Sequence, residues 1–187
     1  MALWGNTDAD EAKPKWFTAD QKENVYATDR GWVQLNGKGL EEVICAIGGL
    51  TTSIAGADIN EIEFTTASFS EATGGNIDLT ITFNEKVTVV TTGGTPTITL
   101  TNSQAGSGGA ATVAAAYQSG SSTNRLVFRY TQAADDGSTV NDVAAGDVLS
   151  VAAQNIALNG GTIKDAGTAV NSGVAVPAGE NTLTAGA

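Results

Sequence analysis

Between Gly75 and Asn171 the chain alternates apolar and polar residues with a period of two, in short runs separated by turn-forming clusters. In NIDLTITF, Ile77, Leu79, Ile81 and Phe83 fall on one face and Asp78, Thr80 and Thr82 on the other, the pattern of a half-buried strand. Ile98 and Leu100 repeat it, as do Leu126, Phe128 and Tyr130, with Arg125, Val127 and Arg129 on the reverse side. The stretches TTGGTP, SQAGSGG, QSGSSTN, AADDGS, AAGD and LNGG supply Gly, Asn or Asp where a turn needs positive φ or a side-chain hydrogen bond. No helical period of useful length interrupts these strands, which restricts this part of the chain to an all-β sandwich or a small barrel.

The sandwich is the expected form, since about seven strands in roughly 120 residues match the immunoglobulin-like size. Lys86 and Arg129 are expected to guard its edges, and Val174 to Val176 to form a last strand before an extended C-terminal tail. Composition changes near Ala57. All three tryptophans lie in the first 32 residues, whereas only Lys86, Arg125, Arg129 and Lys164 of the nine basic residues follow the change. Two parts are therefore expected, an N-terminal anchoring segment over 1–57 and the immunoglobulin-like β-sandwich over 58–187.

Within the first part, Pro14 disfavours helix at Lys13. Thr18 with Gln21 three residues later has the form of a capping box and predicts a short helix over about 19–25. WVQL and EEVICAIGGL read as two strands about the turn NGKG. Two strands make a poor independent core, so this segment is expected to lean on something else. Its aromatic residues exceed what so small a unit easily encloses. Trp4, Trp16, Phe17 and Trp32 are candidate anchors to a partner, because large rings bury much area at low rotamer cost. The alternative is that they cover the end of the sandwich within the same chain.

The common catalytic groupings each lack a required part. With no histidine there is no Ser-His-Asp triad and no Cys-His pair. The single cysteine, Cys45, sits among apolar neighbours and reads as a packed thiol. The glycines lie in hairpin turns, outside any strand-to-helix phosphate-binding setting. Glu71, Asp78, Glu85 and Asp147 fall where solvent faces or turns are expected, so an acid pair for glycoside hydrolysis is not indicated. The loop AADDGSTVND gathers Asp135, Asp136, Asn141 and Asp142, oxygen ligands suited to calcium. It lacks the spacing of an EF-hand loop, and a solvated acidic turn is the expected reading. Tyr117, ahead of QSGSST, is the aromatic residue that carbohydrate binding would call on, though a core position suits it equally. The expectation is a non-enzymatic protein without cofactor or metal.

A net charge of -11 without clustered Lys and Arg argues against nucleic acid. No apolar stretch approaches the roughly 20 residues of a membrane helix. MALWGNTDADEAKPKW lacks the apolar region of a secretory signal, so the chain is expected to remain in the cytoplasm where it is made or to leave by another route.

GGNIDLTITFNEKVTVVTTGGTPTITLTN, then AAAYQSGSSTNRLVFRYTQAADD, then IALNGGTIKDAGTAV, resembles the immunoglobulin-like repeat of large bacterial adhesins and other surface proteins. That repeat runs from an aliphatic strand ending in Phe and an acidic turn, through a TPTLTL-like strand and a Tyr-x-Ser-Gly hairpin, to LTFRYTV-like and LNGGTIKDAAGN-like segments. The likeness covers about 70–171, departing at AGTAV and in the longer SQAGSGGAATVAAA. MALWGNTDADEAKPKW, ATDRGWVQLNG and EEVICAIGGL, within 1–50, resemble the N-terminal segment of virion structural proteins from T4-like marine cyanophages. Together the resemblances imply a virion structural protein assembled in the host cytoplasm. Its role would be that of a capsid decoration protein contacting the major capsid protein through 1–57, with a homo-oligomer and a weak host-surface contact as further partners. Neck, tail and fibre proteins, or a cellular adhesin-like binding module, are the alternatives they leave open.

Overall fold

The computed structural model describes residues 13–28, 31–46, 56–105, 109–137, 141–167 and 169–187. These residues are almost entirely β, with a single short helix, α1 (Ala19–Asn24). Three strands follow it, β1 (Val25–Thr28), β2 (Gly31–Leu35) and β3 (Glu41–Ala46), and form a separate antiparallel sheet in that order. The remaining strands are β4 (Ile59–Phe64), β5 (Phe69–Ser70), β6 (Gly75–Val90), β7 (Thr97–Asn102), β8 (Thr112–Ser119), β9 (Thr123–Gln132), β10 (Val148–Ser150), β11 (Gln154–Asn155), β12 (Thr162–Asp165), β13 (Ala175–Val176) and β14 (Leu183–Gly186).

Nine of them make one mixed sheet in the order β12-β6-β9-β8-β7-β10-β14-β5, with β4 also paired to β6. All of its pairings are antiparallel except β14 with β5. The sheet curls about one core. Leu79 lies between Phe64 of β4 and Phe128 of β9, and Ile81 between Ile62 and Leu126. Ile98 and Leu100 on β7, Leu149 on β10, and Leu183 and Ala185 on β14 close the same core. Ala57 is buried in it too. β11 and β13 form a small separate ladder.

The apolar face of NIDLTITF is the core face, as its alternation requires. β6 nevertheless differs from the expected half-buried strand in two ways. It runs for 16 residues through FNEK instead of ending there. Thr82 pairs with Arg125 and Val87 with Thr123, so five steps of β6 span two of β9, a wide irregularity at which β6 exchanges β4 for β12 as its neighbour. Its polar face is also enclosed: Thr80, Thr82, Asn84 and Glu85 are buried, and α1 and β1 pack against this strand. Asn84 accepts the Asp58 N–H at 2.8 Å, and Asn124 donates to the Phe83 carbonyl at 3.3 Å, which satisfies backbone that the irregularity takes out of the ladder.

The edge guards turn out otherwise. β6 and β9 are interior strands, where Arg129 grips Asp78 through two hydrogen bonds of 2.6 and 2.7 Å. Lys86 is drawn to Glu41 of the small sheet. The outer side of β4 is covered by the segment leading to β14. Asn181 accepts from Phe64 N at 2.7 Å and donates to Phe64 O at 3.0 Å, as a neighbouring strand would. The C-terminal part is thus ordered beyond β13, with β14 inserted between β10 and β5 rather than extended.

The hairpin turns carry the expected chemistry. In QSGS, Gly120 has φ 105°, and a Cβ there would meet the Arg125 carbonyl oxygen at 2.1 Å, so this turn requires glycine. Phe128 is completely buried at the centre of the sheet. Phe128→Ala is expected to destabilise the fold by about 3–5 kcal/mol, the usual cost of such a cavity; urea unfolding should show a lower midpoint with an unchanged slope.

Candidate functional site

The N-terminal part is built on α1 and the sheet β1-β2-β3. Thr18 Oγ1 accepts from Gln21 N at 3.2 Å, and Gln21 Oε1 accepts from Thr18 N at 3.0 Å, completing the capping box that starts α1. The helix ends at Asn24 and the chain passes directly into β1, a strand that local pattern did not reveal because no turn precedes it. On one face of the small sheet Phe17, Val25 and Trp32 form a compact core, with Ile44 and Cys45 packed against it. Trp32 is 3% exposed, and its Nε1 has no hydrogen-bond partner among the described residues.

Of the four candidate anchors, then, Phe17 and Trp32 are turned into the protein's own core. Trp16 is 64% exposed, with its ring edgewise on Phe17 at 4.6 Å between centroids. Trp4 lies outside the described residues. Leu40 and Val43, at the β2–β3 hairpin, are also exposed. Cys45 is half-buried beside Trp32, its Cα partner across β2 and β3.

A polar contact ties this unit to the larger sheet. Tyr26 donates its hydroxyl to Glu41 Oε1 at 3.0 Å, Lys86 forms an ion pair with the same carboxylate, and the Lys86 ammonium lies 5.1 Å from the centre of the Tyr26 ring. Such a partly exposed pair adds little alone, and the aromatic face adds a comparable amount. The three side chains come from β1, β3 and β6, and their meeting has no signature in sequence spacing. Lys13 is buried and donates to the Lys22 carbonyl, which ties the chain just before Pro14 to α1.

Three of the four candidate calcium ligands have partners, whereas Asn141 Nδ2 is buried without one among the described residues. Asp135 accepts from Gly137 N at 2.9 Å within its own turn, and Asp136 is also partnered. Asp142 accepts from the Tyr130 hydroxyl at 3.2 Å. The segment that bears Asp142 is pinned by Gln132, which donates to Val143 O and accepts from Val143 N, both at 2.9 Å. Beside it Asp147 is fully buried, taking hydrogen bonds from Asn102 Nδ2 at 2.7 Å and Ala144 N at 2.9 Å. Among the described residues no three acidic or sulfur ligands gather into a metal-binding group.

The four carboxylates weighed for glycoside chemistry are dispersed in role. Glu85 and Asp147 are buried, a correction to their expected solvent positions that follows from the irregularity in β6 and the tight turn at 144–147. Asp78 is committed to Arg129, and Glu71 accepts from Ala145 N at 2.6 Å. Tyr117 packs edgewise on Phe128 at 5.9 Å, and its oxygen accepts from Ser121 N at 2.9 Å, so it supports the adjacent hairpin.

What this geometry offers is one exposed aromatic ring, Trp16, set against the buried ring of Phe17. No protein-family model, curated protein or solved structure matches the chain.

Millimolar calcium is expected to leave the thermal melt unchanged, because Asp135, Asp136 and Asp142 already have partners within the fold and do not gather with other acidic groups into a ligand set among the described residues; a calcium-dependent rise in melting temperature would show otherwise. The Tyr130 phenol is pushed up to about 12 by burial first, then by the Asp142 charge and hydrogen bond. An unfolded tyrosine ionises near about 10. The folded state therefore holds this proton more firmly, and the resulting stability is complete below about 10 and lost as the pH rises to about 12. Ultraviolet titration should show a late phenol that Tyr130→Phe removes and Asp142→Asn shifts to lower pH.

Proposed function

We propose that the protein is a non-enzymatic virion structural component, a capsid decoration protein that displays an immunoglobulin-like domain on an N-terminal anchoring segment. The observation that carries the anchoring is Trp16, which is 64% exposed yet braced on the buried ring of Phe17. A ring held in place before contact loses little freedom on binding, and burying its face against the major capsid protein would supply much of the contact energy. The two sequence resemblances support the virion and immunoglobulin-like parts of this reading. The continuous pairing of β6 through β9 and β8 to β7 supports a self-contained displayed domain.

The anchoring role passes from four aromatic residues to one among those described. Phe17 and Trp32 act by shaping the support, and Trp16 makes the contact. Trp16→Ala should retain the melting transition of the parent and lose incorporation into particles, measured by mass spectrometry of purified virions. Normal incorporation of this variant would sink the anchoring role. Trp32→Ala should instead destabilise the small sheet. Electron microscopy of labelled particles distinguishes the head surface from the neck, tail or fibres, and absence from particles altogether would favour a cellular adhesin-like module.

A further inference from the structure

The chain contains two Asn-Gly sequences, Asn36-Gly37 and Asn159-Gly160, both in turns and both exposed at the asparagine, yet the fold treats them differently. Asn36 begins the β2–β3 hairpin loop. Its Oδ1 is turned back over the main chain and accepts from Lys38 N at 3.0 Å and from Leu40 N at 3.1 Å. The loop itself is closed by Asn36 N donating to Leu40 O at 2.9 Å and Gly39 N to Asn36 O at 2.8 Å. Around Gly37 there is open space: a Cβ placed there would meet nothing within 4 Å.

We infer that Asn36 is a site of spontaneous deamidation in the folded protein, and that Asn159 is protected from it. The reaction needs the Gly37 nitrogen to reach the Asn36 side-chain carbon. The nitrogen gives its proton to solvent base and bonds to Cγ, the Cγ–Nδ2 bond breaks, and ammonia leaves with a proton from water. Water then adds to the resulting five-membered imide. Opening at the side-chain carbonyl gives aspartate, and opening at the main-chain carbonyl gives isoaspartate, in which the chain runs through Cβ. Two main-chain N–H groups already point at Oδ1, where negative charge develops as the nitrogen adds, the arrangement that stabilises an oxyanion. An unhindered glycine lets the main chain swing into the attack.

Asn159 lacks all of these permissions. It occupies the left-handed region at φ 52°, and its Nδ2 donates to Thr95 O at 2.9 Å and to Thr97 Oγ1 at 3.0 Å, so the leaving group is tied to the neighbouring turn. Gly160 abuts the Gly93 carbonyl, which a Cβ would meet at 2.6 Å, so its backbone has no room to turn. A pair of identical dipeptides thus differs through tertiary contact alone.

The consequence falls on the small sheet. Either product adds a negative charge beside Glu41 and Glu42, and isoaspartate also lengthens the main chain inside a loop closed by short hydrogen bonds. Glu41 belongs to the contact with Tyr26 and Lys86, so the change would loosen the attachment of this sheet to β6. This inference does not depend on where the protein is displayed.

The test ages the full-length protein at mildly alkaline pH, folded and in concentrated urea, and maps its peptides by mass spectrometry with isoaspartate methyltransferase labelling. In the folded protein Asn36 should convert several-fold faster than Asn159, while in urea the two should convert at similar rates. Gly37→Ala should slow conversion at Asn36 several-fold without changing the melt. Equal conversion of the two asparagines in the folded protein, or protection of Asn36 relative to urea, would overturn the inference.

Discussion

The pairing of β6 with β9 is the constraint on which the rest of the structure depends. β6 donates Ile77, Leu79, Ile81 and Phe83 to the core, takes β4 and β9 as neighbours along its first half, and passes to β12 in its second. It also receives α1 and β1 on its polar side. A strand shared by so many neighbours cannot slip by one residue, since a slip would turn its whole apolar set away from the core. The long irregularity around FNEK lets it serve two sets of partners without that slip.

The small N-terminal sheet solves a different problem. Three short strands and one helical turn and a half bury too little area to stand alone. Phe17, Val25 and Trp32 give it a local centre, and Tyr26, Glu41 and Lys86 fasten it to β6. Once those aromatic residues are used internally, Trp16 is left as the large exposed ring among the described tryptophans. The aromatic surplus at the front of the chain is therefore divided between packing and display. That division underlies the proposed anchor.

Much of this was legible in the sequence wherever the controlling physics is local. The capping box at Thr18 and Gln21, the NGKG turn, the Gly120 hairpin and the core faces of β6, β7 and β9 follow from residues within a few positions of one another. Features set by distant neighbours were not legible. β1 follows α1 without punctuation, β14 is a short neutral segment whose strand character comes from β10 and β5, and Asn181 substitutes for a strand at the edge of β4. Lys86 and Arg129 resembled edge guards because nothing local marks a strand as interior.

By itself the sequence determined that the chain is all-β after its first few turns, which side chains face the core, where the hairpins bend, and that no histidine is present. Those properties rest on alternation, on the φ that particular residues tolerate, and on residue types present or missing. Only the tertiary structure decided which acidic groups are buried, that Trp16 is exposed while Trp32 is buried, and which of two Asn-Gly dipeptides is free to react. Burial, partnership and backbone freedom depend on what another part of the chain places alongside, and in this fold that neighbour often lies tens of residues away.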